Sequence, residues 1–339
     1  MPGPQSSAER SVPGPSRATS LTAGRLTGLL WAALTVAIFS GWFVVTRFSV
    51  TRELGIWDIA ALRFGIGALI LSPAIFGRGR TLPPAAWGEG LVFALLWGLP
   101  FVLLVALGIQ LTSAGRAASV APTLMPVFAG LIGWAIFRQR PTSRRFAGYA
   151  AIVAGLAGLL AINPGGDGLR ATAGFAALAA AAGMWAIYTL LFSRSGRTPI
   201  QASALICLWS SALLLPVYLG FGLSRFGHAS ASEIALQAGY QGVLMSSVAV
   251  VTFNRAVSLL GAGAATAIIA LVPVGASLLA VPLLGEIPSP IEAAATALII
   301  AGVVLAARTR EVGKDHPSKK TGDEEARRPL FPSNQPPAG

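Results

Sequence analysis

Three kinds of residue are scarce in this chain of 339 residues: it holds one cysteine and two histidines, and charged residues make up only 11%. A single cysteine, Cys207, excludes an internal disulfide and a cysteine-based metal site. The histidines, His228 and His316, lie outside the apolar runs, so a Ser–His pair or a His/Asp metal cluster cannot be assembled inside them. No enzyme activity, cofactor or metal is therefore expected. The lack of charge excludes a further class, because a soluble protein of this length needs far more polar surface to cover its core. Basic residues outnumber acidic ones, 25 to 13, but form no aromatic-interleaved patch, which argues against nucleic acid as a partner.

What the chain has instead is apolar sequence, at 54% of residues. About 20 apolar residues cross the hydrocarbon core of a bilayer as a helix. Runs of that length recur at 26–48, 56–76, 87–109, 117–137, 146–163, 172–193, 200–221, 233–254, 262–284 and 290–307. The expected fold is all-α, a polytopic membrane protein of ten transmembrane helices. Residues 1–25 and 308–339, rich in proline, serine and charge, are expected to be disordered tails. The first run is too long for a signal-peptide core and reads as a retained helix.

The chain also repeats itself. Trp42 and Thr46 correspond to Trp185 and Thr189, and Pro73 to Pro216. After a shift of four residues the matches continue as Ala117 with Ala264, Pro126 with Pro273, Pro141 with Pro288, and Gly155 with Gly302. Residues 26–163 and 172–307 are thus two copies of a five-span unit. Five is odd, so the second copy enters the membrane from the opposite face. Charge agrees with this. The connector "FRQRPTSRRF" carries Arg138, Arg140, Arg144 and Arg145, whereas its counterpart "LLGEIPSPIE" has no basic residue and carries Glu286 and Glu292. Lys and Arg collect on the cytoplasmic side. Only Arg47, Arg52, Arg116, Arg170 and Arg225 fall on the side opposite the tails, which puts both termini in the cytoplasm. Inverted repeats are a common construction of secondary transporters, with the substrate site near the midplane between the halves.

Eight residues are candidates for that site. Pro126 and Pro273 occupy matched positions, where proline frees a backbone carbonyl. They either line a central cavity or are packing kinks. Trp42 and Trp185 either face the cavity or anchor their spans at the interface. Tyr188, Thr46 and Thr189 can offer hydroxyls to a solute, or bond their own backbone. Arg63 lies within the second span, where an uncompensated charge costs roughly 2.5–3.5 kcal/mol on insertion scales. It either snorkels partly outward or pairs with Asp58, or it meets a substrate carboxylate. Asn254 and Gln110 are expected to cap span ends, and Glu89 to face cytoplasmic headgroups.

The segments "WAALTVAIFSGWFVVTRF", "IAALRFGIGALIL", "AASVAPTLMPVFAGLIGWAIFRQRPT" and "AATAIIALVPVGASLLAVPLLGEIPSPIEAAATALIIAGVVLA" resemble the EamA-type branch of the drug/metabolite transporter superfamily. The likeness spans roughly 26–307 and implies a plasma-membrane carrier, often an exporter, of small metabolites such as amino acids. The glutamate usual in the second block is present as Glu286, whereas "FRQRP" puts no carboxylate in the first. No Asp, Glu or His lies deep in a span, so proton exchange at a midplane carboxylate is not expected, and the substrate reads as neutral or zwitterionic. Two alternatives stand beside this: a carrier of anionic metabolites of the sugar-phosphate or nucleotide-sugar type, and a non-transporting membrane scaffold. The partners expected are the lipid bilayer and a small-molecule substrate. The sequence does not fix an oligomeric state.

Overall fold

A computed structural model describes residues 17–77, 82–138, 140–161 and 168–307. Residues 1–16 of the first expected tail and the whole of the second, 308–339, lie outside these residues. Within them the fold is helical, with no strand. The first unit comprises α1 (Arg17–Val50), α2 (Ile56–Leu71), the short α3 (Pro73–Phe76), α4 (Pro84–Trp97), α5 (Leu99–Leu111), α6 (Ala114–Phe137) and α7 (Ser143–Ala161). The second comprises α8 (Gly168–Phe192), α9 (Pro199–Gly220), α10 (Ala231–Gln237) continuing through a π-helical stretch (Ala238–Ala249) into α11 (Val250–Leu260), then α12 (Ala262–Ile269), α13 (Val272–Leu284) and α14 (Pro290–Ala307).

Among the described residues, eight segments are long and apolar enough to cross a membrane. The last two spans are completed by shorter helices, α12 with α13, and α14. Helix α1 starts at Arg17, inside the stretch expected as tail. Pro15 is the last proline before it, so nothing stops the helix from propagating backward from the apolar run.

Several spans are not regular. The third breaks at Gly98, where Pro100 enters the first turn of α5 and the Leu99 amide donates to Ser210 Oγ at 3.1 Å. Its counterpart, the eighth, carries the π-helical stretch. The ninth breaks at Ala270 and Leu271, and Pro273 sits in the first turn of α13, where its missing N–H is not needed. The matched Pro126 lies inside continuous α6. Of the two matched prolines, only Pro273 stands at a break.

Helices α7 and α14 show the inversion directly. Gly155 lies against the Ala295 carbonyl and Ile299, and Gly302 against the Gly148 carbonyl and Ile152. Exchanging the repeats turns Gly155 into Gly302, Ile299 into Ile152 and Ala295 into Gly148, which reproduces the same contacts. The two equivalent helices run antiparallel, so the units are inverted relative to each other. Close approach through small residues replaces the hydrophobic driving force that lipid cannot supply between helices.

The connectors sort accordingly. The connectors after the third and ninth spans, with the end of α1, the end of α7 and the start of α8, gather around one cavity. The seventh joins the first, because the Ser230 amide donates to Glu53 at 2.7 Å and holds that carboxyl below its ordinary range. At the other end Arg197 pairs with Glu89 at 3.0 Å, and Gly28 packs on Leu259 and Leu260. Glu89 therefore meets an arginine rather than headgroups alone.

Asp58 fastens the first and seventh connectors. Its carboxylate accepts the Gly55 amide at 2.8 Å, the Arg225 amide at 3.0 Å and the Tyr218 hydroxyl, with no exposed surface. Asp58→Ala strands three donors. It is expected to cost at least about 2 kcal/mol, since a buried hydrogen bond to a charged group contributes about 1.5–3. A melting curve of the purified variant in detergent checks this.

Candidate functional site

At the end of the molecule formed by the third and ninth connectors, both repeats line a cavity of about 680 Å³. Its walls carry Arg47, Arg116 and Arg170 together with Glu286 and Glu292. Arg47 Nε meets Glu286 Oε1 at 3.1 Å, and Glu286 Oε2 accepts the Ala114 amide at 3.0 Å. Arg47 Nη1 also donates to the Ile109 carbonyl at 2.9 Å. Arg116 Nε meets Glu292 Oε1 at 2.6 Å, and Glu292 Oε2 accepts the Ser289 amide at 2.8 Å. Each ion pair joins an arginine of the first repeat to a carboxylate of the second. The acidic connector has a structural use that the sequence reading missed: its glutamates hold the mouth of the cavity together.

Below the cavity the centre is filled by aromatic rings. Trp185 lies 5.6 Å from Phe39, 5.8 Å from both Trp97 and Phe101, and 5.5 Å from Phe253, centroid to centroid. Trp97 stacks on Tyr188 at 4.6 Å, and Phe93 meets Tyr188 edge-on at 5.4 Å. Offset stacks and edge-to-face pairs are the geometries the ring quadrupole favours. The rings come from α1, α4, α5, α8 and α11, so the layer bridges the repeats. Trp42 and Trp185 are buried within the fold and are not interfacial anchors.

Polar groups are threaded through this layer. Trp42 Nε1 donates to Gln241 Oε1 at 3.0 Å, and Gln241 Nε2 donates to Thr46 Oγ1 at 2.8 Å. One turn away Gln237 Nε2 donates to Ser49 Oγ and to the Val45 carbonyl. Gln237 and Gln241 flank or occupy the π-helical stretch, a backbone form that recurs at functional sites. Tyr188 donates to Asn254 Oδ1 at 2.7 Å, while Thr189 bonds the Trp185 carbonyl of its own helix.

Of the eight candidates, the structure brings Trp42, Thr46, Trp185 and Tyr188 into or beside the central layer. Thr189 is spent on its backbone, and Pro126 is only half-buried within α6. Pro273 is buried at the break in the ninth span, next to Val272, whose carbonyl accepts Ser40 Oγ at 3.2 Å.

Two expectations are corrected. Asp58 does not pair with Arg63, because its carboxylate is occupied as described above. Asp58 and Arg63 are five positions apart on α2, whereas helix neighbours are three or four apart. Asn254 does not cap a span end; α11 continues to Leu260 and leaves it buried on Tyr188. The side chain of Gln110 is exposed in the cavity wall, and it is the Gln110 carbonyl that takes up Arg47, at 3.2 Å. Gln241, Trp97 and Phe253 were missed, for none has an identical residue at its repeat-matched position.

A ten-span helical protein with a cavity between inverted repeats has the architecture of a secondary transporter. Residues 26–161 and 172–308 each match the EamA-like transporter family, and the chain belongs to that family. It is similar to a "Probable terminal-alkyne amino-acid exporter" of Streptantibioticus cattleyicolor, at 27% identity over 88% of this chain and 99% of that protein. It is also similar to the "Aromatic amino acid exporter YddG" of Ancylobacter novellus, at 29% identity over 86% and 98%. A solved structure with 22% identity shares the fold, with a TM-score of 0.59 over 84% of this chain and 96% of that one. The protein is a multi-pass membrane transporter in contact with the bilayer and a small-molecule substrate.

Proposed function

We propose that the protein exports small zwitterionic metabolites across the plasma membrane, amino acids with apolar or aromatic side chains foremost. Both termini face the cytoplasm in this reading, and the cavity opens outward. The observation that carries it is the pairing of an apolar aromatic layer with a cavity lined by both signs of charge. A zwitterion presents one group of each sign, and its side chain suits the rings below. Arg47 and Arg116 are neutralised by Glu286 and Glu292, which weighs against a phosphorylated solute. The relatives named as amino-acid exporters support the same class.

Transport follows from one half rocking on the other. The Arg–Glu pairs and the Asp58 cluster join the outward end, and Glu89 with Arg197 the inward end. The breaks in the third and ninth spans and the π-helical stretch are where backbone geometry can change with least loss of regular hydrogen bonding.

The test is counterflow. Proteoliposomes loaded with unlabelled L-phenylalanine are expected to take up labelled L-phenylalanine transiently and saturably, without an imposed proton gradient. Uptake that stays linear with concentration, or that occurs only for quaternary cations driven by protons, would rule the proposal out.

A further inference from the structure

Arg63 has an environment that the fold alone does not explain. It lies in α2 with 2% of its surface exposed, and neither Nε nor Nη1 has a hydrogen-bond partner. Buried guanidinium groups are normally paired, since leaving the donors unmade costs the full desolvation of the charge. What Arg63 has instead are ring faces: its guanidinium carbon is 5.1 Å from the Trp42 centroid and 5.8 Å from that of Phe64. A π face stabilises the positive charge without taking up an N–H.

A second unpartnered group stands at the same level. Helices α2 and α9 run antiparallel, with Asp58 on Tyr218 and Gly67 on Cys207. This register puts Ser211 opposite Arg63, and Ser211 Oγ is likewise buried without a partner. Trp42 in turn borders Phe39, and Phe39 borders Trp185, so the arginine adjoins the central layer. Trp42 covers the guanidinium.

We propose that Arg63 is the carboxylate site of the carrier. When Trp42 moves off it, the guanidinium receives the carboxylate of a transported amino acid, and the Ser211 hydroxyl supplies a further donor. Unpartnered N–H and O–H groups call for a ligand group that only accepts hydrogen bonds, and an ionised carboxylate is one. The proposal rests on the amino-acid reading above and adds the residue that recognises the acid.

The test uses counterflow of labelled L-phenylalanine with the full-length protein, competed by phenethylamine and by phenylalanine methyl ester. In the wild type both competitors, which lack the carboxylate, are expected to compete at least about tenfold more weakly than L-phenylalanine, the loss of one charged hydrogen bond. Arg63→Gln is expected to reduce L-phenylalanine exchange at least about tenfold, with a normal elution profile and melting temperature. Arg63→Lys keeps the charge without the fork and should retain part of the exchange. Ser211→Ala should raise the half-saturation concentration a few-fold. Equal competition by acid, amine and ester in the wild type overturns the assignment even if Arg63→Gln fails to fold. So does a folded Arg63→Gln that exchanges L-phenylalanine normally. Absence of saturable amino-acid exchange in the wild type overturns the underlying function as well, so the two failures are told apart.

Discussion

Gly302→Leu is expected to abolish the folded protein, or to lower its melting temperature more than any surface substitution. A Cβ at Gly302 would lie 2.7 Å from the Gly148 carbonyl and 2.9 Å from the Ile152 amide. Both obstacles are backbone, so no rotamer change relieves them and the two helices must separate. Overpacking in a close-packed interior costs typically about 1–3 kcal/mol, and a contact with backbone belongs at the upper end. Because packing rather than water holds helices together in lipid, separation of α7 from α14 also forfeits the attraction along their length. The control is Gly158→Leu, where the added Cβ would rest at an ordinary 3.6 Å from Ala295. Size-exclusion profiles and melting curves in detergent should show loss of the monodisperse peak for the first variant and its retention for the second.

Trp185→Ala is expected to turn a gated carrier into a leaky one. The Trp185 ring lies against Phe39, Trp97 and Phe101 of the first repeat and Phe253 of the second, so it fills the junction between the repeats. Its removal leaves a void that the surrounding rings, held by their own contacts, close only in part. Truncation of a buried aromatic costs about 3–5 kcal/mol in a soluble core, and the cavity part of that persists in lipid. Efflux of trapped L-phenylalanine from proteoliposomes should acquire a non-saturating component, while Trp185→Phe keeps the saturable behaviour. A Trp185→Ala protein that folds and shows only saturable flux would mean that the aromatic layer does not seal the passage.

Much of this arrangement is readable from the chain, because the lipid environment and the duplication leave periodic marks. Trp42 and Trp185 declare the repeat, the Arg138–Arg145 connector and Glu286 declare its inversion, and the family match covers the same two units. The site is less legible. Gln241 reaches Trp42 and Thr46 across nearly two hundred residues, and its aim depends on a π-helical backbone that no local pattern announces. Asn254 lies where hydropathy ends the eighth span, yet the helix runs on through Arg255 and Ser258, so a residue taken for a cap lies in the interior. Arg63 and Asp58 are neighbours in sequence but not on a helical face, and the carboxylate is engaged by Tyr218 and Arg225, about 160 residues away along the chain. Matched prolines proved a weak guide, since identical residues at equivalent positions can sit in a continuous helix or at its interruption.

The contact between α7 and α14 has a bearing on how such a chain could arise. Gly155 and Gly302 make equivalent contacts on each other's helix, so a lone five-span unit would offer that surface to an upside-down copy of itself. Such an isologous face needs no second sequence to be complementary. A precursor inserting in both orientations could have assembled as a homodimer before its gene was fused, and only afterwards could each half acquire its own charges at the membrane boundary.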